Sequence, residues 1–301
     1  MDGISSKDAL RSVRAKKLQA ALQVPLENKY AGKPVGAGLL DYEIYLRTSE
    51  LRSLQSSPHA LVSHDEMLFQ VTHQSQELWL KLVAFEAISL VESLDADDLW
   101  GACETLKRQS MVMRTLESEL HVISTLSPEA FLAIRRYLGK GSGLQSPGYF
   151  ELLLAAETAN EALTQLVERR GVVWRDVYEH RSRYRDLHHT CELFLDWDAG
   201  FQIWLSAHFT LVRRTLGIDR SVKALDGFPT VALGPRTTKP LFPALWDVRV
   251  EMSRSWNREG GESPAARARD AAPSHPSLVA HPLMACDGSE SGIRTGLRKT
   301  K

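Results

Sequence analysis

Residues 192–216 read ELFLDWDAGFQIWLSAHFTLVRRTL. Phe194, Trp197, Phe201, Trp204, Leu205, His208, Leu211 and Val212 recur at steps of three and four. At 3.6 residues per turn this places them along one helical face. The run is too long for a strand and shows no two-residue alternation, so it predicts a long helix with a core-facing stripe. His208 is the one strongly polar group read on that stripe. Gly217 follows as the expected C′ glycine.

Outward from this stretch the same periodicity predicts helices near 41–55, 64–93, 96–124, 127–138, 148–170 and 171–190. Gly139-Lys140-Gly141-Ser142-Gly143 breaks the pattern, because three glycines in five residues oppose a helix. Residues 218–248 carry four prolines and predict a loop packed on the bundle. The fold class expected is all-α, a helical bundle. No internal repeat is visible. Residues 1–40 form a peripheral arm with a short amphipathic stretch and the segment AGKPVGAGLL. Residues 41–256 hold the domain. Residues 257–301 are rich in Gly, Pro, Ala, Ser and charge and predict a disordered tail.

The chain has 301 residues, 37 basic and 37 acidic, for a formal net charge of zero. No overall field recruits nucleic acid or an anionic membrane. No apolar run approaches the roughly 18–20 residues needed to span a bilayer. The opening MDGISSKDALRSVRAKKLQAAL lacks the apolar stretch of a secretory signal, so the cytoplasm is the expected compartment. Cys103, Cys191 and Cys286 form no CxxC pair, which argues against a disulfide framework or a cysteine metal site. GxSxG, P-loop, GxGxxG and HExxH patterns are absent.

In such a bundle the informative residues are polar groups on apolar faces. The segment HDEMLFQVTHQSQELWLKL, residues 64–82, is preceded by Ser63, which with Glu66 predicts a capping box. Phe69 and His73 are four apart and share a face with Leu80. His73 reads either as a core histidine satisfied by one hydrogen bond or as a base or ligand in a pocket. His208, among large aromatic and aliphatic neighbours, reads either as a buried histidine or as the neutral imidazole of a haem pocket. In FLAIRRYLGKGSGLQSPGYF, residues 131–150, Arg135 reads as a surface arginine or as a bidentate carboxylate clamp beside a glycine loop. His188 and His189 are adjacent and point to different faces, so a shared metal site is not expected. Arg181, Arg183 and Arg185 read as a solvated face.

At these residues the chain resembles tryptophan 2,3-dioxygenase, the haem enzyme that opens the indole ring. The 64–82 segment resembles the family's HDEMLF…HQ…ELW helix. DYEIYLRTSELRSLQ before it, the Arg135 segment with GSGLQS, FQIWLSAH and LFPALWDVR resemble further family stretches, in order from about 42 to 250. The resemblance implies a helical homotetramer with haem b, its iron held by His208, and an aromatic amino acid and O2 as substrates. It implies that His73 lies near the indole nitrogen as the catalytic histidine, that Phe69 packs on the indole, and that Arg135 pairs with the substrate carboxylate. Ser142, Gly143 and Trp204 fall at the haem. Tyr42 matches a tyrosine that reaches a neighbouring subunit's site. Two positions depart from the family pattern on the substrate side: Val222 stands near a substrate-binding threonine, and Phe131 replaces a tyrosine. The stretch between 150 and 190 is also shorter than the family's. These departures keep a second outcome open, monooxygenation of a methylated tryptophan in secondary metabolism. A non-catalytic haem-binding protein is the alternative of another class.

Overall fold

A computed structural model describes residues 12–28, 30 and 32–255 of the chain. Residues 1–11 and the expected disordered tail, 257–301, with Cys286, lie outside the described residues. Contacts divide the chain after Ser253, and of the second unit, Arg254–Lys301, only the first two residues are described.

Ten α-helices follow in order: α1 Val13–Ala21, α2 Asp41–Leu46, α3 Thr48–Leu51, α4 Glu66–Asp95, α5 Leu99–Ile123, α6 Pro128–Arg135, α7 Pro147–Arg169, α8 Trp174–Glu179, α9 Arg185–Thr215 and α10 Pro243–Ser255. Two 3₁₀ segments, Gly143–Gln145 and Thr230–Thr238, join them. Among the described residues there are only two isolated β-bridges, so the all-α class is as expected. The four long helices make the bundle: α4 packs on both α5 and α7, and α5 packs on α9. Their inward stripes supply Val83, Leu90, Leu106, Met113, Leu163 and Trp197, each almost wholly withdrawn from water. Burying a side chain of this size contributes about 1.5–3 kcal/mol.

Helix starts follow local chemistry. Ser127 accepts from Ala130 N at 3.1 Å ahead of Pro128, and Ser146 accepts from Tyr149 N at 3.1 Å ahead of Pro147. In both, proline occupies the position whose missing N–H costs nothing. Asp98 accepts from Gly101 N at 3.1 Å and begins α5. Gly217, at φ +82°, closes α9 as its N–H reaches Arg213 O at 3.1 Å.

Several expectations are corrected. The helix expected over 41–55 is divided at Arg47, whose φ of +52° ends α2 and starts α3. The upstream Gly/Pro segment is pinned instead by the buried Glu43 carboxylate, which accepts from Gly36 N, from Leu39 N at 3.0 Å and from Leu40 N at 3.2 Å. At the head of α4 the capping box is shifted: Ser63 Oγ accepts from Asp65 N at 3.1 Å, and Glu66 reaches back to Val62 N at 2.7 Å. The helix expected over 171–190 is the short α8 followed by a turn in which Arg183 N and Tyr184 N both bond His180 O. α9 starts at Arg185, seven residues before the expected 192, because Leu187, Thr190 and Cys191 extend its buried stripe. The 218–248 loop holds the 3₁₀ segment and the first turn of α10, where Pro243 is the first helical residue.

Candidate functional site

A cavity of about 690 Å³ lies between α4, α6, the 138–147 loop, α9 and the 218–238 connection. This is within the range of small-molecule and cofactor sites. The close packing that shapes its floor depends on Gly148. A Cβ there would lie 2.7 Å from Leu80 Cβ and 2.8 Å from Glu77 Oε2, so only glycine lets α7 come down onto α4. Glu77 then clamps the junction, accepting from Ser146 Oγ at 2.5 Å and from Gly148 N at 3.0 Å.

α4 brings Phe69 and His73 to the cavity, with ring centroids 4.1 Å apart. Nδ1 of His73 lies 2.7 Å from Phe69 O. A carbonyl can only accept, so Nδ1 carries the proton and Nε2 is the ring nitrogen left over. The His73 ring is exposed to the cavity. Protein surrounds its other sides, and this burial lowers its pKa from the ordinary 6.5, opposed by the Phe69 carbonyl and by Glu77. Phe131, on α6, lies with its ring 6.2 Å from that of Phe69.

α9 brings Trp204 and His208 to the opposite wall. Burial, then the neighbouring His73, push the His208 imidazole down to about 4, so it is neutral. No hydrogen-bond partner for either of its ring nitrogens is found among the described residues. Gly143, in the facing loop, would place a Cβ 3.9 Å from His208 Nε2. Trp204 is 6% exposed, its indole N–H is unpartnered, and its ring lies 6.2 Å from that of Tyr149.

Arg135, the last residue of α6, lines the cavity and donates from Nη2 to Lys223 O at 2.5 Å. It has no acidic partner among the described residues. Ser142 Oγ accepts from Leu144 N at 3.2 Å. The Asp226 carboxylate has its pKa lowered first by the Phe228 N–H and then by Ser142. The bond from Arg135 to Lys223 O joins the end of α6 to the 218–229 loop.

Two positions fall elsewhere. Tyr42 is 69% exposed and does not line the cavity of its own chain. Val222 also stays out of the wall, and its carbonyl accepts from Thr230 N at 3.0 Å. On this connection Thr230 and Thr237 line the cavity, and the Thr230 hydroxyl is turned to the carbonyls of Gly217, Asp219 and Val222. Thr230, Glu77, Tyr149 and Arg236 were not singled out in the sequence. Only Glu77, one helical turn beyond His73, carried a usable signal there. No cluster of three or more metal-ligating side chains occurs among the described residues. No described helix is long and apolar enough to cross a membrane.

The fold is all-α, and its cavity is lined by two imidazoles, His73 and the neutral His208. The sequence profile described as tryptophan 2,3-dioxygenase matches residues 29–159. Across a longer span the chain is 29% identical to the tryptophan 2,3-dioxygenase of Kineococcus radiotolerans, covering 71% of this chain and 91% of that protein. It is 29% identical to that of Xanthomonas campestris pv. campestris, covering 71% and 88%, and 28% identical to that of Burkholderia multivorans, covering 79% and 94%. In sequence the chain is thus similar to tryptophan 2,3-dioxygenases along most of its length.

Proposed function

We propose that this chain is a haem-dependent oxygenase that inserts both atoms of O2 across the indole C2–C3 bond of L-tryptophan or a substituted tryptophan, yielding an N-formylkynurenine. The observation that carries the reading is His208, a neutral imidazole without a hydrogen-bond partner, set in an apolar wall of the 690 Å³ cavity. A neutral imidazole nitrogen that faces an apolar cavity without a partner is suited to a donor or a metal. Gly143 keeps the space before Nε2 clear, and Trp204 with its aromatic neighbours offers the broad apolar surface a macrocycle needs. The residues present therefore fit haem b, with His208 as iron ligand and Ser142, Gly143 and Trp204 against the ring.

Bound there, haem supplies the oxygen chemistry. The chain's own residues do the positioning. Arg135 receives the amino-acid carboxylate in a charge-assisted pair, exchanging or sharing its bond to Lys223 O. Phe69 and Phe131 hold the ring plane by aromatic contact. His73 offers Nε2, as an acceptor, to the indole N–H. Fixing the indole in this way converts part of the barrier into binding, the usual source of rate in such a site.

A homo-oligomer, a tetramer by resemblance, is part of the proposal, with Tyr42 lining a neighbour's pocket. Its support is the apolar surface around α2 and α4, where Tyr42, Tyr45, Val71, Leu78 and Phe85 are all exposed. The cytoplasm is the proposed compartment.

The test is an absorbance spectrum of the purified chain, followed by mass spectrometry of products from tryptophan under labelled oxygen. A Soret band and two labelled atoms per product are expected. His208→Ala lacks the band, and imidazole restores part of it. A haem-loaded protein that inserts one labelled atom overturns the dioxygenase assignment. A His208→Ala variant with unchanged haem content overturns the ligand assignment.

A further inference from the structure

The cavity carries a second arginine that this mechanism leaves without a task. Arg236 sits in the 3₁₀ segment Thr230–Thr238 and lines the cavity. Its guanidinium carbon lies 5.0 Å from the centre of the Phe228 ring, which props the cation from one face and leaves its edges free. Among the described residues it has no carboxylate partner and no side-chain hydrogen bond. A half-buried guanidinium on an apolar cavity wall, with no acid beside it, is suited to an anion carried by the cavity's contents.

Its place differs from that of Arg135. Arg135 projects from the end of α6 to Lys223 O. Arg236 sits over Phe228, where its charge is felt by the Tyr149 hydroxyl and opposes the upward effect of burial there. The Tyr149 ring is stacked 6.4 Å from Phe201 and lies 6.2 Å from Trp204, on the helix that carries His208. The acid nearest in kind, Glu77, is already held by Ser146 Oγ and Gly148 N. One cavity thus presents two guanidinium groups, each without an acid among the described residues.

We propose that Arg236 forms a second carboxylate subsite in this cavity, distinct from the Arg135 clamp. Its ligand is a carboxylate of the bound contents, either a propionate of the haem or a carboxylate on the aromatic substrate. This rests on the haem reading above. The fork geometry of arginine suits both sources, and Phe228 fixes the fork against the wall.

The experiment titrates apo-protein with haem b and with its dimethyl ester, which lacks both carboxylates, and follows the Soret band. It also measures binding of tryptophan and tryptamine to the haem-loaded protein. Wild type, Arg236→Leu and Arg236→Lys are compared. If a propionate is the ligand, Arg236→Leu weakens haem b by about tenfold or more, the scale of a charged hydrogen bond. The ester binds wild type and variant alike, which also shows that the variant's pocket is folded. Arg236→Lys keeps the charge and loses less. If the substrate is the source, haem uptake is unchanged and Arg236→Leu weakens tryptophan by a similar factor while tryptamine is unaffected. Equal binding of haem b and of tryptophan by wild type and Arg236→Leu overturns the subsite and leaves the haem oxygenase intact. A wild-type chain that takes up no haem overturns the oxygenase reading and the subsite with it.

Discussion

Asp198→Ala should destabilise this protein more than any change on its surface. The Asp198 side chain is fully buried on α9. Its Oδ2 accepts from Leu241 N at 2.9 Å, Phe242 N at 3.0 Å and Trp246 Nε1 at 2.8 Å, and Oδ1 accepts from Gln202 Nε2 at 2.8 Å. Alanine leaves three C-terminal donors without an acceptor. At the low end of about 1 kcal/mol per stranded group the loss is about 3 kcal/mol, a large share of a typical 5–15 kcal/mol. With a urea m-value of roughly 3 kcal/mol/M, the midpoint falls by about 1 M. Asp198→Asn keeps an oxygen for the three donors and should lose roughly half as much. The assay is urea unfolding followed by circular dichroism, with m compared between variants. A midpoint shift under about 0.2 M for Asp198→Ala at constant m would refute the claim that this carboxylate holds the LFPALW segment to α9.

Other expectations follow from the site. Gly143→Val directs methyl groups toward His208 Nε2, from a Cβ position only 3.9 Å away, and should abolish haem uptake while leaving the apo-protein's unfolding midpoint nearly unchanged; normal uptake would mean that this face of the imidazole is not used. Arg135→Leu should weaken tryptophan binding by about 2–4 kcal/mol, the scale for a buried charge-assisted pair, and leave tryptamine unaffected; equal tryptophan affinity would put the clamp elsewhere. His73 has a folded pKa below the ordinary 6.5, so the unfolded chain binds its proton first as the medium acidifies. Its contribution therefore destabilises the fold as pH drops from 6.5 toward the lower folded value, and His73→Gln should flatten that part of the stability profile; an unchanged slope would contradict the burial argument.

The long helices were legible because their apolar stripes are continuous, and the same stripes exposed His73 and His208 as polar intrusions. Family motifs then drew Phe69, Phe131, Arg135, Ser142, Gly143 and Trp204 into view, and all six line the same cavity. What escaped depends on contacts distant in sequence. Asp198 reads as one more charge on a helix, because its partners lie more than forty residues away. Arg236 sits in a proline-bearing 3₁₀ segment with no periodicity to mark a face. The division at Arg47 turns on one left-handed residue that is not glycine, which composition does not announce. Val222, expected near a substrate-binding threonine, does not line the cavity, whereas Thr230, eight residues on, does.

The cavity wall begins at Phe69 and is completed by Thr237, and the carboxylate of Asp198 secures the segment just beyond. During synthesis, a nascent chain that has released α4 through α7 still lacks α9 and the 218–238 connection that complete the site. α9 emerges with its buried carboxylate still lacking the backbone donors of Leu241 and Phe242. The pocket is thus a late product of translation, dependent on contacts of long sequence separation that form slowly. Loading of the site has to wait for a finished chain, and truncation anywhere before Trp246 should give a helical protein that is unable to keep its cargo.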